Sequence, residues 1–147
     1  MEISQKHKDI LHGKICPYCN SETKVVSEEY IYGKSYKGRS VICCVNFPKC
    51  DSYVGTHEED GSSLGRLANN ELRQYKKRAH EWFDEIWRSE YKTRDEAYEW
   101  LSETLGTPAE YTHIGMFSIP TCKKVITECI YYLEQMKSIV NEIKKQG

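Results

Sequence analysis

Cys16-Pro17-Tyr18-Cys19-Asn20 and, further on, Cys43-Cys44-Val45-Asn46-Phe47-Pro48-Lys49-Cys50 are the stretches that decide the fold of this chain. Two alternating, strand-like segments run between them. Cysteine-bearing turns at the ends of a strand pair clamp one metal ion. Zinc takes four thiolates at tetrahedral angles, with sulfur about 2.3 Å away. A Cys-x-x-Cys turn supplies two of them from one tight loop; Pro17 stiffens that loop, and Asn20 suits the left-handed backbone that follows. Cys50 belongs to the second pair. Its companion is Cys43 or Cys44, since neighbouring strand residues point to opposite faces. Four thiolates leave no open coordination position, so the ion holds the fold and does not catalyse.

The chain has 147 residues, 39% of them hydrophobic and 29% charged, which suits one polar domain or two small ones. A small amino-terminal unit with so modest a core needs a staple, and a metal provides it. No apolar run approaches the roughly 20 residues of a membrane span. The opening residues lack the apolar segment of a secretory signal, so a cytoplasmic location is expected. There, closely spaced cysteines bind metal more often than they form disulfides, and seven cysteines is an odd number for a complete disulfide framework. The net charge of −1 is unevenly spread: residues 61–94 carry eight basic against five acidic residues, and residues 95–147 carry five lysines against eight acidic residues. A basic middle suits an anionic partner, or equally a solvated face paired with the acidic carboxyl end.

The pattern predicts an α+β protein. Residues 1–13 form an arm. A ribbon over 14–56 follows, with strands at Lys24–Tyr32, Arg39–Val45 and Ser52–Thr56 and a glycine-bearing turn at 33–38. The polar stretch 57–63 is a linker. Residues 64–147 form a helical domain with three main helices. The first runs from about Asn70 to Arg88, capped by Asn69 or Asn70. The second opens at the capping box Thr93-Arg94-Asp95-Glu96 and stops at Gly106. The last follows Ser118. Tyr75, Trp82, Phe83, Trp87, Tyr98 and Trp100 are mostly core, and Cys122 and Cys129 are buried on one helix face.

Cys16-Pro17-Tyr18-Cys19-Asn20 with Cys44-Val45-Asn46-Phe47-Pro48-Lys49-Cys50 resembles the four-cysteine zinc ribbons at the carboxyl end of type IA DNA topoisomerases. That resemblance covers about residues 14–56. It implies Cys44 as the remaining ligand, giving Cys16, Cys19, Cys44 and Cys50 around one structural Zn2+, and it implies contact with single-stranded DNA. A wider resemblance rests on Asp51-Ser52-Tyr53-Val54-Gly55-Thr56-His57, Leu64-Gly65-Arg66-Leu67-Ala68-Asn69, His80-Glu81-Trp82-Phe83-Asp84 and His113-Ile114-Gly115-Met116-Phe117. Those segments are similar to a family of small zinc-finger-containing proteins of phages and mobile elements. It implies the fold and a viral or mobile-element origin, but no mechanism.

Base stacking needs aromatic faces, and phosphates need cations. Tyr36, Lys37, Arg39, Phe47 and Lys49 are the expected contacts on the ribbon, beside Tyr18, Tyr32, Tyr53 and Lys34. Arg73, Lys76, Lys77 and His80 lie opposite the apolar stripe of the first helix and would extend a phosphate track. The expected function is non-catalytic nucleic-acid binding, to single-stranded or irregular DNA. The alternative is a factor that binds or inhibits a host protein through its helices. The seam from Val125 to Ile143 would also suit a homodimer. An enzyme built on His80, Asp84 and His57 is the least favoured option, because no nucleophile elbow, phosphate loop or zinc-protease motif accompanies them. His113 is expected in a buried turn.

Overall fold

A computed structural model describes residues 3–146; of the expected arm (1–13) and helical domain (64–147), residues 1, 2 and 147 lie outside the described residues. The chain divides into two compact units. The first runs through Gln74 and takes in Gly115–Phe117; the second comprises Tyr75–Ile114 and the chain from Ser118 onward. Among the described residues no helix is long and apolar enough to cross a membrane.

The first unit opens with a helix where an arm was expected. Helix α1 (Gln5–Leu11) starts at Ser4, whose hydroxyl accepts from the His7 N–H, and it buries Leu11 at its end. A capping serine and one terminal apolar anchor suffice for so short a helix. The Thr23 hydroxyl then donates to the Gly13 carbonyl at 2.8 Å and ties this segment to the sheet. Strands β1 (Thr23–Ser27), β2 (Ser40–Cys44) and β3 (Tyr53–Gly55) form an antiparallel sheet in the order β1-β2-β3. Register runs from Thr23 opposite Cys44 to Ser27 opposite Ser40. The central strand is the most buried. Ile42 and Cys44 share one of its faces, and there they join Cys16, Val54 and Leu67 in a small core with Cys50 against it.

The first strand is shorter than the sequence suggests. It stops at Ser27, whose hydroxyl accepts from the Tyr30 N–H and starts helix α2 (Glu28–Tyr32). Gly33, at φ +81°, ends it in the left-handed region. The β-favouring Tyr30-Ile31-Tyr32 is overruled by a cap at each end. Nor is 57–63 a bare linker. His57 and Ser62 pair across a tight reversal, and the returning chain adds to the sheet, with Ala68 and Tyr53 exchanging backbone hydrogen bonds of 3.0 and 3.1 Å.

Gly65 and Gly115 cross at backbone-to-backbone distance. A Cβ on either would collide with the other strand's backbone, and the Arg66 N–H donates to the Gly115 carbonyl at 3.0 Å. This crossing makes Gly115–Phe117 part of the first unit.

Helix α3 (Asn70–Arg88) starts at Asn69, whose side-chain oxygen accepts from the Leu72 N–H at 3.0 Å. Its free amino-end donors are met by the Asp51 carboxylate, 3.2 Å from the Asn70 N–H, which also suits the helix dipole. In the second unit, helix α4 (Arg94–Leu105) has the full capping box expected at Thr93 and Glu96 and ends at Gly106, φ +67°. Two 3-10 turns lead to helix α5 (Ile119–Gln146). Phe83, Ile86, Leu101, Val125, Cys122 and Cys129 are fully buried. Of the expected aromatic core, Phe83 is buried against Tyr98, while Trp82 is 40% exposed because it falls just off the apolar stripe.

Candidate metal centre and its surroundings

The first cysteine turn is built locally. The Cys16 N–H donates to the Ser21 carbonyl and the Asn20 N–H to the Cys16 carbonyl, both at 2.9 Å. Asn20 sits at φ +58°, the left-handed position its sequence suggests. The second turn leaves β2 at Cys44 and closes at Cys50, where the N–H donates to the Asn46 carbonyl at 3.1 Å. It contains a cis peptide bond between Phe47 and Pro48.

Together these turns bring the sulfurs of Cys16, Cys19, Cys44 and Cys50 within 4.8 Å of one another. Cys19 and Cys44 are 3.4 Å apart, and Cys16 and Cys50 are 3.7 Å apart. A tetrahedron with metal–sulfur bonds of about 2.3 Å has edges of about 3.8 Å. The observed spacings fit that edge and are far longer than a disulfide bond of about 2.05 Å. Cys43 is buried on the other face of β2, so Cys44 is the ligand of the adjacent pair.

Hydrogen-bonding groups surround the sulfurs. The Asn46 backbone N–H donates to Cys44 Sγ at 3.4 Å and its side-chain amide to Cys19 Sγ at 3.6 Å. Backbone hydrogen bonds from Tyr18 and Cys19 reach Cys16. Ser52, fully buried, has its hydroxyl 3.2 Å from Cys16 Sγ and 3.4 Å from Cys50 Sγ. Ser21 Oγ lies 3.3 Å from Cys19 Sγ and accepts from the Asn46 amide at 3.0 Å. Three of the thiols lie in unequal surroundings. Hydrogen bonding to Ser21 lowers Cys19 to about 6, whereas burial pushes Cys44 up to about 12 and raises Cys16. A divalent cation at the centre offsets that burial cost and completes the set. Ser52 and Ser21 were not legible as part of this centre. Their only signal is a small hydroxyl two residues from a ligand cysteine.

These features define the chain as a structural zinc protein: one four-thiolate zinc site on a three-stranded antiparallel sheet. A family model described as a zinc-finger-containing domain matches residues 12–131, and the chain belongs to that family. No curated protein and no solved structure matches it.

The expected contact residues fall into three groups. Tyr36, Lys37 and Arg39 occupy the tip between α2 and β2. Tyr36 and Lys37 are exposed, and Arg39 pairs with Glu58 at 3.1 Å. Lys49 is exposed and Phe47 half-buried on the second cysteine turn. Arg73 is held differently from the expectation of a solvent-facing cation. It donates to the Asp51 and Ala68 carbonyls, pairs with the Asp51 carboxylate at 3.4 Å and lies 4.1 Å over the Tyr53 ring. Its first role is to fasten the start of α3. The Tyr18 hydroxyl likewise accepts from the Asn69 N–H at 3.0 Å. Lys76, half-buried, and Lys77, exposed, lie on α3 in the second unit.

What the sequence did not suggest is that the aromatic residues form one continuous row. Ring centroids run from Tyr36 to Tyr32 (5.8 Å), Tyr53 (5.7 Å), Phe47 (6.3 Å) and Tyr30 (5.8 Å). Lys34 lies 5.0 Å over Tyr36 and Lys24 4.8 Å over Tyr30. The histidines are less organised. His80 is exposed, and the Asp84 carboxylate accepts from Trp87 Nε1 at 3.2 Å and faces Arg88 at 3.8 Å. His113 is exposed rather than buried, with its ring 6.2 Å from that of Tyr98. The neighbouring Ile114 takes the buried position in that turn.

Proposed function

We propose that this chain is a non-catalytic, cytoplasmic zinc-ribbon protein that binds single-stranded or irregular DNA through its first unit. The aromatic row carries this reading. Packing accounts for Phe47 and Tyr53, which are half-buried. It does not account for Tyr30, Tyr32 and Tyr36, which remain 48%, 46% and 64% exposed with cations over two of the rings. Exposed rings beside lysines and arginines offer stacking to unpaired bases and charge to phosphates; in a duplex those base faces are hidden. Lys37, Arg39 and Lys49 supply further phosphate contacts within the same unit. A site closed by four thiolates has no position for a reacting water, which supports a binding role over a catalytic one.

The test is titration of a labelled single strand at several salt concentrations. Binding should weaken steeply as salt rises, and Tyr32→Ala with Tyr36→Ala should reduce it about tenfold or more, at about 1–3 kcal/mol per stacked base. Absence of binding at low salt removes the proposal.

A second reading is favoured by α5. Tyr131, Ile139 and Ile143 are exposed on a helix whose earlier turns bury Cys129 and Leu133. That apolar end suits a protein contact, with a host protein or a second copy of the chain. Sedimentation showing a dimer, or capture of one stoichiometric protein unaffected by nuclease, would support it.

A further inference from the structure

The tip joining α2 to β2 is held in a way that a simple connection does not need. Residues 33–38 are all exposed, so no buried apolar side chain anchors them. A carboxylate gathers them instead. Glu28, only 6% exposed, accepts through Oε2 from the Tyr36 N–H at 2.9 Å and through Oε1 from the Arg39 N–H at 2.6 Å, while the Lys37 N–H reaches both oxygens at 3.2 Å. A second, smaller clasp is the Gly38 N–H donating to Ser35 Oγ at 3.2 Å. Burying a carboxylate is unfavourable unless it is hydrogen-bonded, and three charge-assisted bonds are what it receives here. Two residues can join antiparallel strands. This chain uses a longer excursion, fixes its backbone from within, and leaves the Tyr36 and Lys37 side chains outside.

We propose that Glu28 is a positioning residue that pre-organises the tip from Tyr36 to Arg39 for contact with single-stranded nucleic acid; this rests on the function proposed above. A backbone already fixed loses less freedom on binding, and ordering even one residue is worth about tenfold in affinity. The proposal has an unusual sign. Glu28 is an acidic group among Lys34, Lys37 and Arg39, so by charge alone its removal strengthens attraction for a polyanion. Positioning requires the opposite.

The experiment compares the zinc-loaded full chain with Glu28→Gln by anisotropy of a labelled oligothymidylate. Gln keeps the shape of Glu28 but has one acceptor oxygen instead of two. The expected result is unchanged zinc content, a Kd raised about fivefold to tenfold, an unchanged salt slope, and faster amide exchange at Tyr36, Lys37 and Arg39. Equal or tighter binding by Glu28→Gln overturns the proposal, as does a loss that only tracks loss of zinc. If Glu28→Gln does not retain zinc, Ser35→Ala takes its place. It removes the exposed clasp and should weaken binding about twofold, and no change then overturns the proposal. Failure of the unaltered chain to bind is a separate result: it removes the nucleic-acid function, and the role of Glu28 with it.

Discussion

Replacing Gly115 with alanine should loosen the zinc-bearing unit, although the site lies far along the chain from any cysteine ligand. A methyl group there would fall well inside van der Waals contact with the Leu64 carbonyl oxygen and 3.2 Å from its carbon, with the Cα of Gly65 just behind. Backbone cannot swing aside as a side chain does, so the crossing must open by roughly an ångström, and overpacking of this kind costs about 1–3 kcal/mol. Opening also strains the 3.0 Å bond from the Arg66 N–H to the Gly115 carbonyl, worth about 1 kcal/mol. The total is about 2–4 kcal/mol. For a unit of this size each kcal/mol moves Tm by roughly 4–8 °C, so a drop of about 8–32 °C is expected. The assay is thermal release of zinc to a chromogenic chelator, which follows the first unit alone. Gly65→Ala strikes the same crossing, and the double variant should cost less than the sum of the two single ones. A Gly115→Ala protein releasing zinc within about 2 °C of the unaltered chain would refute the close approach.

Four further outcomes follow from the site. Cys44→Ser should abolish zinc binding and unfold the ribbon, since structural zinc contributes about 10–16 kcal/mol in small peptides; Cys43→Ser should keep full zinc at a cost of about 1–3 kcal/mol for its buried hydroxyl, as metal analysis of both would show. Ser52→Ala should weaken zinc about tenfold or more in a chelator competition, because it strips a hydroxyl from two sulfurs at once. Alkylation followed by mass spectrometry should mark the ribbon cysteines only after chelation and leave Cys122 and Cys129 unmodified, since both are fully buried and burial pushes the Cys129 thiol up to about 12. Glu28 should titrate below the usual carboxylate range, chiefly through the Tyr36 N–H and then that of Arg39. A depressed folded value means its contribution is present above the ordinary glutamate pKa and lost as pH falls through the lower one; a carboxyl-carbon NMR titration with a normal or raised midpoint would contradict this.

Local signals in the sequence were reliable. The Cys-x-x-Cys turn, the left-handed Asn20, the Thr93 capping box and the stop at Gly106 each depend on a few adjacent residues, and each stands where the pattern puts it. Spacing alone left Cys43 and Cys44 open; the resemblance implied Cys44, and Cys44 is the one whose sulfur joins the cluster. The hidden helix α2 shows why strand-like composition misleads: Tyr30, Ile31 and Tyr32 favour strands, and only the caps at Ser27 and Gly33 say otherwise. The rest was not legible because it joins distant residues. No periodicity announces that Gly65 meets Gly115, that Asp51 receives the start of α3, or that five rings scattered from Tyr30 to Tyr53 line up. The partners of Arg73 were hidden for the same reason. On a helix wheel it is a surface cation, and only the fold reveals Asp51, Ala68 and Tyr53 around it.

Gly115–Phe117 returning to Leu64–Arg66 means that this finger is not a detachable cassette. A ribbon excised after its last cysteine, or grafted into another protein, would leave behind the strip that crosses Leu64–Arg66. A zinc module cut at residue 74 would lack Gly115–Phe117, three residues that belong to it.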